Sequence, residues 1–224
     1  MFSERYKFNE EWFDIAIPIW TEVFKTTDRN VKDVLEIGCY EGRATVWLCE
    51  NVLTGEGCTY DVVDTFEGSV TESGMAFSGV EKEDYNKEGV ENIFKNRISK
   101  LEETFRHNIS FFSDIKFTIH KGISQEVLPQ LSKEKKYDFI YIDASHRADD
   151  TLVDAYFAHK VLKPGGILIF DDFGWKDPKD MSPINSPELG IKMFWELYQS
   201  EYDVLFQGYQ VGFIKKNPNK ITLS

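Results

Sequence analysis

Two short apolar runs, Phe139-Ile140-Tyr141-Ile142 and Ile167-Leu168-Ile169-Phe170, each end in acid, and one helix-length segment separates them. Uninterrupted apolar runs of this length mark strands buried on both faces of a parallel sheet. Parallel neighbours need a crossover of a dozen or more residues. The segment Asp149–Leu162 supplies one with helical spacing and stops at Lys163-Pro164-Gly165-Gly166. Side by side, the two strands would bring Asp143, Asp171, Asp172 and His146 to one sheet edge. In open α/β sheets ligands bind at the carboxyl ends of the strands. Three carboxylates and an imidazole gathered there point to a hard divalent cation or a proton transfer.

The same rhythm runs through the chain. Strands are expected at Val31–Ile37, Cys58–Val63, Lys116–His120, Asp138–Asp143 and Gly166–Asp171. Helical spacing covers Glu10–Phe24 (interrupted by Pro18), Gly42–Leu53, Asn86–His107 and Pro187–Ser200. Alternating strands and helices argue a doubly wound, mostly parallel sheet. The tail breaks the rhythm: Tyr202–Gln207 and Gln210–Lys215 are split only by Gly208-Tyr209, which permits only an antiparallel hairpin. The expected fold is therefore α/β, seven-stranded, with a C-terminal antiparallel hairpin. The expected organisation is an N-terminal helical segment (1–30) and one domain (31–224), with 68–112 as a polar insertion or lid.

Composition narrows the partners. The net charge of -12 over 224 residues repels polyanions, so nucleic acid is not expected. Cys39, Cys49 and Cys58 are too few for a disulfide framework and read as reduced, partly buried thiols. No apolar stretch approaches the roughly 20 residues that span a bilayer, and the N-terminus lacks a signal-peptide pattern, so a cytoplasmic protein is expected. Aromatic N-terminal helices commonly pack at subunit interfaces, which leaves a homo-oligomer open.

Between the first strand and its helix lies Glu36-Ile37-Gly38-Cys39-Tyr40-Glu41-Gly42. Gly38 and Gly42 allow a tight turn and close approach of the backbone to a ligand. A dinucleotide fingerprint needs glycine at its first, third and sixth positions. Counted from Gly38, the last two are Tyr40 and Arg43, and Glu41 would oppose a pyrophosphate, so NAD and FAD are disfavoured. Asp64 ends the second strand, where an acid can accept from ribose hydroxyls. Loop and acid together imply an adenosine-type ligand without a demanding phosphate; the loop alone reads equally well as a structural turn. Asp149-Asp150 reads as first-turn helix charge, and His107, His120 and His159 as structural histidines. Phe173 and Trp175 either wall a pocket or pack.

At this point the sequence resembles the class I S-adenosylmethionine-dependent methyltransferases, and more closely the metal-dependent O-methyltransferases of the catechol and macrolide-sugar kind. The segments that carry the likeness are Leu35 to Thr45, Val63 to Gly68, Tyr137 to His146 and Leu162 to Asp172, in order at suitable spacing. The resemblance implies S-adenosyl-L-methionine as cofactor, with Glu36 and Gly38 around its methionine part, Asp64 at the ribose, and Tyr40, Gly42 and Thr65 also at the cofactor. It implies Gly122 and Ser124 at the adenine, and Asp143 beside the cofactor. Asp143, Asp171 and Asp172 fall on the family's Mg2+-ligand positions, and His146 where relatives carry a catalytic base. The expected reaction is methyl transfer to a hydroxyl of a small molecule: a sugar, a polyketide-like compound or a phenol. Two alternatives stay open: a metal-independent methyltransferase and a non-catalytic cofactor-binding protein.

Overall fold

The computed structural model describes residues 2–27, 30–68, 95–131, 135–177 and 180–217. Among the described residues seven strands make one sheet: β1 Asp33–Ile37, β2 Thr59–Asp64, β3 Lys116–Lys121, β4 Tyr137–Ile142, β5 Leu162–Phe170, β6 Tyr202–Gln207 and β7 Val211–Lys215. Their order is β3-β2-β1-β4-β5-β7-β6. The first five run parallel. β7 pairs antiparallel with both β5 and β6, which is the expected hairpin.

The helices are α1 Ile17–Thr27, α2 Arg43–Asn51, α3 Leu101–Ile109, α4 Ser124–Val127, α5 Ala148–Val161 and α6 Pro187–Tyr198. Successive side chains of each central strand point to opposite faces. Phe139, Tyr141, Ile167 and Ile169 join a core with Trp20 of α1, Trp47 of α2 and Phe105 of α3. Ile140, Ile142, Leu168 and Phe170 join a second core with Ala155 of α5 and Phe194 of α6. Both faces are covered, which is why the strand sequences are apolar throughout.

Most element ends shift by one or two residues from expectation, the hairpin turn being three residues (208–210) because β7 starts at Val211, and two boundaries differ more. Glu10–Phe24 is not one interrupted helix: Trp12–Ala16 forms a 3-10 turn, and α1 begins at Ile17. Pro18 therefore occupies the first helical turn, where its missing N–H costs nothing. Lys163-Pro164-Gly165-Gly166 ends the helix, but it lies within β5 rather than in a loop before it. Leu162 already pairs with Tyr137, and the next pairs are Phe139 with Ile167, so these four residues loop out of the ladder. Gly165, at φ +78, makes that excursion affordable. Most of the expected insertion (69–94) lies outside the described residues, as does the first half of the helix expected over Asn86–His107; its second half is α3. Among the described residues no helix is long and apolar enough to cross a membrane. Cys39, Cys49 and Cys58 are all buried, none in a disulfide.

Candidate active site

The chain runs outward from β1 to β3 on one side and from β4 onward on the other, so the winding reverses between β1 and β4. That is where open sheets form a ligand crevice. Backbone hydrogen bonds stitch the strand ends into one rim: Gly38 N to Val63 O (2.8 Å), Asp143 N to Ile37 O (2.8 Å), Gly122 N to Asp64 O (3.0 Å) and Asp171 N to Ile142 O (2.9 Å). Gly38 sits at φ +82, and a Cβ there would lie 1.9 Å from the Asp143 carbonyl oxygen. Only glycine lets the loops after β1 and β4 come this close.

A cleft of about 490 Å³ opens on this rim. Gly38, Tyr40, Asp64, Thr65, Gly122, Ser124 and Asp143 line it, so seven residues expected at the cofactor share one cavity. Asp64 does more than face it. Its Oδ2 accepts from the backbone N–H of Cys39 (2.7 Å) and Tyr40 (3.1 Å), and its Oδ1 from that of Phe66 (2.7 Å). The acid braces the glycine loop, holding Tyr40 at φ +48.

Two expected cofactor residues stand back from the cleft. Glu36 is fully buried and accepts from Thr45 Oγ1 (2.5 Å) and Tyr60 OH (2.7 Å). Burial pushes its carboxyl up to about 7, against those two hydrogen bonds. Gly42, at φ +80, begins α2, where a Cβ would strike the Phe105 ring. Glu41 also turns away: its carboxylate accepts from Asn9 N (2.7 Å) and Asn9 Nδ2. Asn108 Nδ2 donates to the Glu41 and Lys7 carbonyl oxygens. Residues 7–9 are thereby tied to the glycine loop and α3.

Beyond Asp143 the other acids follow on the rim. The single Tyr141 O–H donates to Asp171 Oδ2, and Asp143 Oδ2 lies 3.2 Å from the same hydroxyl oxygen. Asp171 Oδ2 also accepts from Gln210 Nε2 (3.0 Å), and Asp171 Oδ1 from the Asp172 N–H (2.7 Å). Asp172, at φ +56, meets His146 Nε2 at 2.8 Å through Oδ2 and accepts from Tyr209 OH at 2.9 Å through Oδ1. The Trp175 ring stacks on His146 with centroids 4.2 Å apart. Phe173 packs against the second core.

Charge is concentrated here. Burial, and then the charges of Asp171 and Asp172, hold Asp143 well above the usual carboxylate range. Burial and Asp172 raise Asp171 to about 6. Such a hard, anionic oxygen set matches magnesium in chemistry. In geometry it is not a finished cage: among the described residues no three His, Cys, Asp or Glu side chains converge on a metal position. The remaining histidines have structural partners: His107 the Arg5 carbonyl, His120 the Asp61 carboxylate and His159 the Tyr202 hydroxyl.

Tyr141, Tyr209 and Gln210 are additions that residue patterns did not single out. Tyr141 sits inside an apolar strand, and the other two at a hairpin turn. Gln210 is buried and joins Asp171 to α1 by accepting from Trp20 Nε1 (2.7 Å).

Among the solved structures similar to this chain are three O-methyltransferases of this fold. The O-methyltransferase from Bacillus cereus, in complex with SAH, is 18% identical over 90% of this chain and 81% of its own, with a TM-score of 0.58. TomG from Streptomyces achromogenes, an O-methyltransferase of tomaymycin synthesis in complex with SAM, is 13% identical over 89% and 78%, with a TM-score of 0.55. CalS11, a TDP-rhamnose 3'-O-methyltransferase of calicheamicin biosynthesis, is 15% identical over 91% and 81%, with a TM-score of 0.53. No curated protein matches the chain. A family profile described as a methyltransferase domain matches residues 35–173, well over half of the sequence. The chain belongs to the methyltransferase-domain family and has the Rossmann-like fold of class I S-adenosylmethionine-dependent methyltransferases.

Proposed function

We propose that the protein transfers the methyl group of S-adenosyl-L-methionine to a hydroxyl of a small molecule, with Mg2+ held by Asp143, Asp171 and Asp172. The observation that carries this reading is the position of Asp143, which lines the cofactor cleft and begins the row of acids. The cleft supports an adenosine-type ligand: Asp64 for the ribose, Gly122 and Ser124 for the base, Gly38 and Tyr40 for the methionine part. The acceptor class is a sugar, polyketide-like or phenolic hydroxyl; CalS11, a sugar-modifying enzyme of the same fold, is one support for it.

The reaction is an in-line displacement: an acceptor oxygen–methyl bond forms as the sulfonium–methyl bond breaks, leaving a neutral thioether. The hydroxyl proton has to leave, and in this reading His146 takes it. Asp172 and the Trp175 ring fix the imidazole on two sides. Tyr141 and Gln210 hold Asp171, and Tyr209 holds Asp172. Magnesium, when bound, supplies positive charge that makes a hydroxyl more acidic and offsets the repulsion among the acids. Alignment of two bound reactants can contribute roughly 7–11 kcal/mol, and a general base about 10²–10⁴-fold. Losing an acid of the row is therefore expected to cost at least as much as losing His146.

A metal-independent version of the reaction has one observation in its favour: the acids are already engaged by Tyr141, Gln210, His146 and Tyr209. Both readings are tested with methyl-labelled cofactor and a panel of nucleotide sugars, glycosides and phenols. We expect labelled product that EDTA abolishes and Mg2+ restores. Full turnover in chelator would overturn the metal role, and cofactor binding without product from any acceptor would favour a binding protein.

A further inference from the structure

Asp154 is buried without exposure on α5, a helix whose other buried positions include Ala155 and Ala158. Packing does not call for a carboxyl there. Its Oδ1 accepts from Gln125 Nε2 at 3.4 Å, and among the described residues its Oδ2 has no hydrogen-bond partner. An isolated carboxylate is costly in such a place, and burial pushes the group up to about 7; Asp150, one turn earlier, adds to the rise and the Ser124 hydroxyl opposes it.

What this acid touches is a wall of the cleft. Gln125 and Ser124 stand on α4, directly after Gly122, and all three line the cavity. A glutamine side chain carries a donor end and an acceptor end, and it can turn either toward a ligand. With Nε2 drawn inward to Asp154, Oε1 is the end that Gln125 offers to the cleft.

We propose that Asp154 is a positioning residue that fixes the polarity of this wall, making it a hydrogen-bond acceptor that selects a 6-amino purine over a 6-oxo purine. The inference rests on the S-adenosylmethionine reading of the cleft. The amino group of adenine donates to Oε1. Hypoxanthine carries an oxygen at the same place, so two acceptors would face each other and neither would be satisfied. Sites built around a specific hydrogen bond reject analogues that leave a buried partner unpaired.

Calorimetric titration of the full chain with S-adenosylhomocysteine and with S-inosylhomocysteine tests this. The unmodified chain is expected to bind the adenosine compound about 10- to 100-fold more tightly. In Asp154→Leu the ratio falls toward one. In Asp154→Asn it is retained, because an amide oxygen still accepts from Gln125. Equal affinities in the unmodified chain, an undiminished ratio in Asp154→Leu, or a lost ratio in Asp154→Asn would each overturn the proposal. If Asp154→Leu fails to fold, Gln125→Met on the cleft wall decides, and an unchanged ratio there overturns it as well. Absence of S-adenosylhomocysteine binding in the unmodified chain would instead overturn the cofactor reading itself, and this inference with it.

Discussion

Glu36 shows how a residue matched to a motif can serve the scaffold. It stands where the resemblance implies a wall of the cofactor pocket, yet it lies beneath the glycine loop with Thr45 and Tyr60 on its carboxyl. Its group is raised from 4.5 to about 7 by burial. Between those values the folded chain binds a proton that the unfolded chain has released. The stability it contributes is therefore present below about pH 4.5 and is lost as pH rises through 7. Glu36→Gln keeps an oxygen for both donors and never ionises. In urea unfolding, its stability relative to the unmodified chain is expected to improve by roughly 2–3 kcal/mol between pH 5 and pH 8; parallel behaviour at the two values would refute this. Asp143 and Asp171 were legible because each directly follows an apolar run, with Asp172 next in line; His146 was singled out only by its spacing, three residues after Asp143. Tyr141 was not: a tyrosine inside such a run looks like core, and nothing in its spacing tells that its hydroxyl reaches past the strand end to two carboxylates.

At the level of elements, the turn between β6 and β7 reaches back over the rim. Tyr209 grips Asp172, Gln210 grips Asp171, and the Tyr209 carbonyl accepts from the Gly174 N–H at 2.9 Å. The two side chains differ in burial: Gln210 is 5% exposed and Tyr209 45%. Gln210→Leu strands the Trp20 N–H in the core and is expected to cost about 2–3 kcal/mol in urea titration. Tyr209→Phe, at the more exposed position, should cost under about 1 kcal/mol. Equal costs would mean that the Trp20–Gln210–Asp171 chain is not what anchors the hairpin. The hairpin was legible from two apolar runs separated by a two-residue turn. The start of β5 was not, because Pro-Gly-Gly ordinarily marks a loop, and here Leu162 pairs before the chain bulges outward and rejoins.

Across the whole molecule, buried titratable groups pull stability in opposite directions. His159 packs against Tyr198 and the Tyr202 hydroxyl, and burial, then Lys215, lower it from 6.5 to about 4. Within that window the unfolded chain binds more protons, so its contribution is present above about 6.5 and lost on acidification toward 4. Glu36 and Asp154 act the other way over much of the same range. His159→Gln is expected to lose less stability than the unmodified chain between pH 6.5 and pH 4, with the His159 ring signals titrating near 4 by NMR; titration near 6.5 would refute it. The parallel order of the sheet was legible because only helical crossovers fit the spacing of its strands. The position of β7 was not, since no residue pattern shows that it slots between β5 and β6. That insertion bears on synthesis. A sheet whose seventh strand is interior cannot be completed while that strand is still inside the ribosome. The indole of Trp20, made early, meets the amide of Gln210 only after 190 further residues. Closure of the rim is thus a late event, and nascent chains short of the hairpin carry an unfinished edge on β5, the kind of surface that chaperones cover.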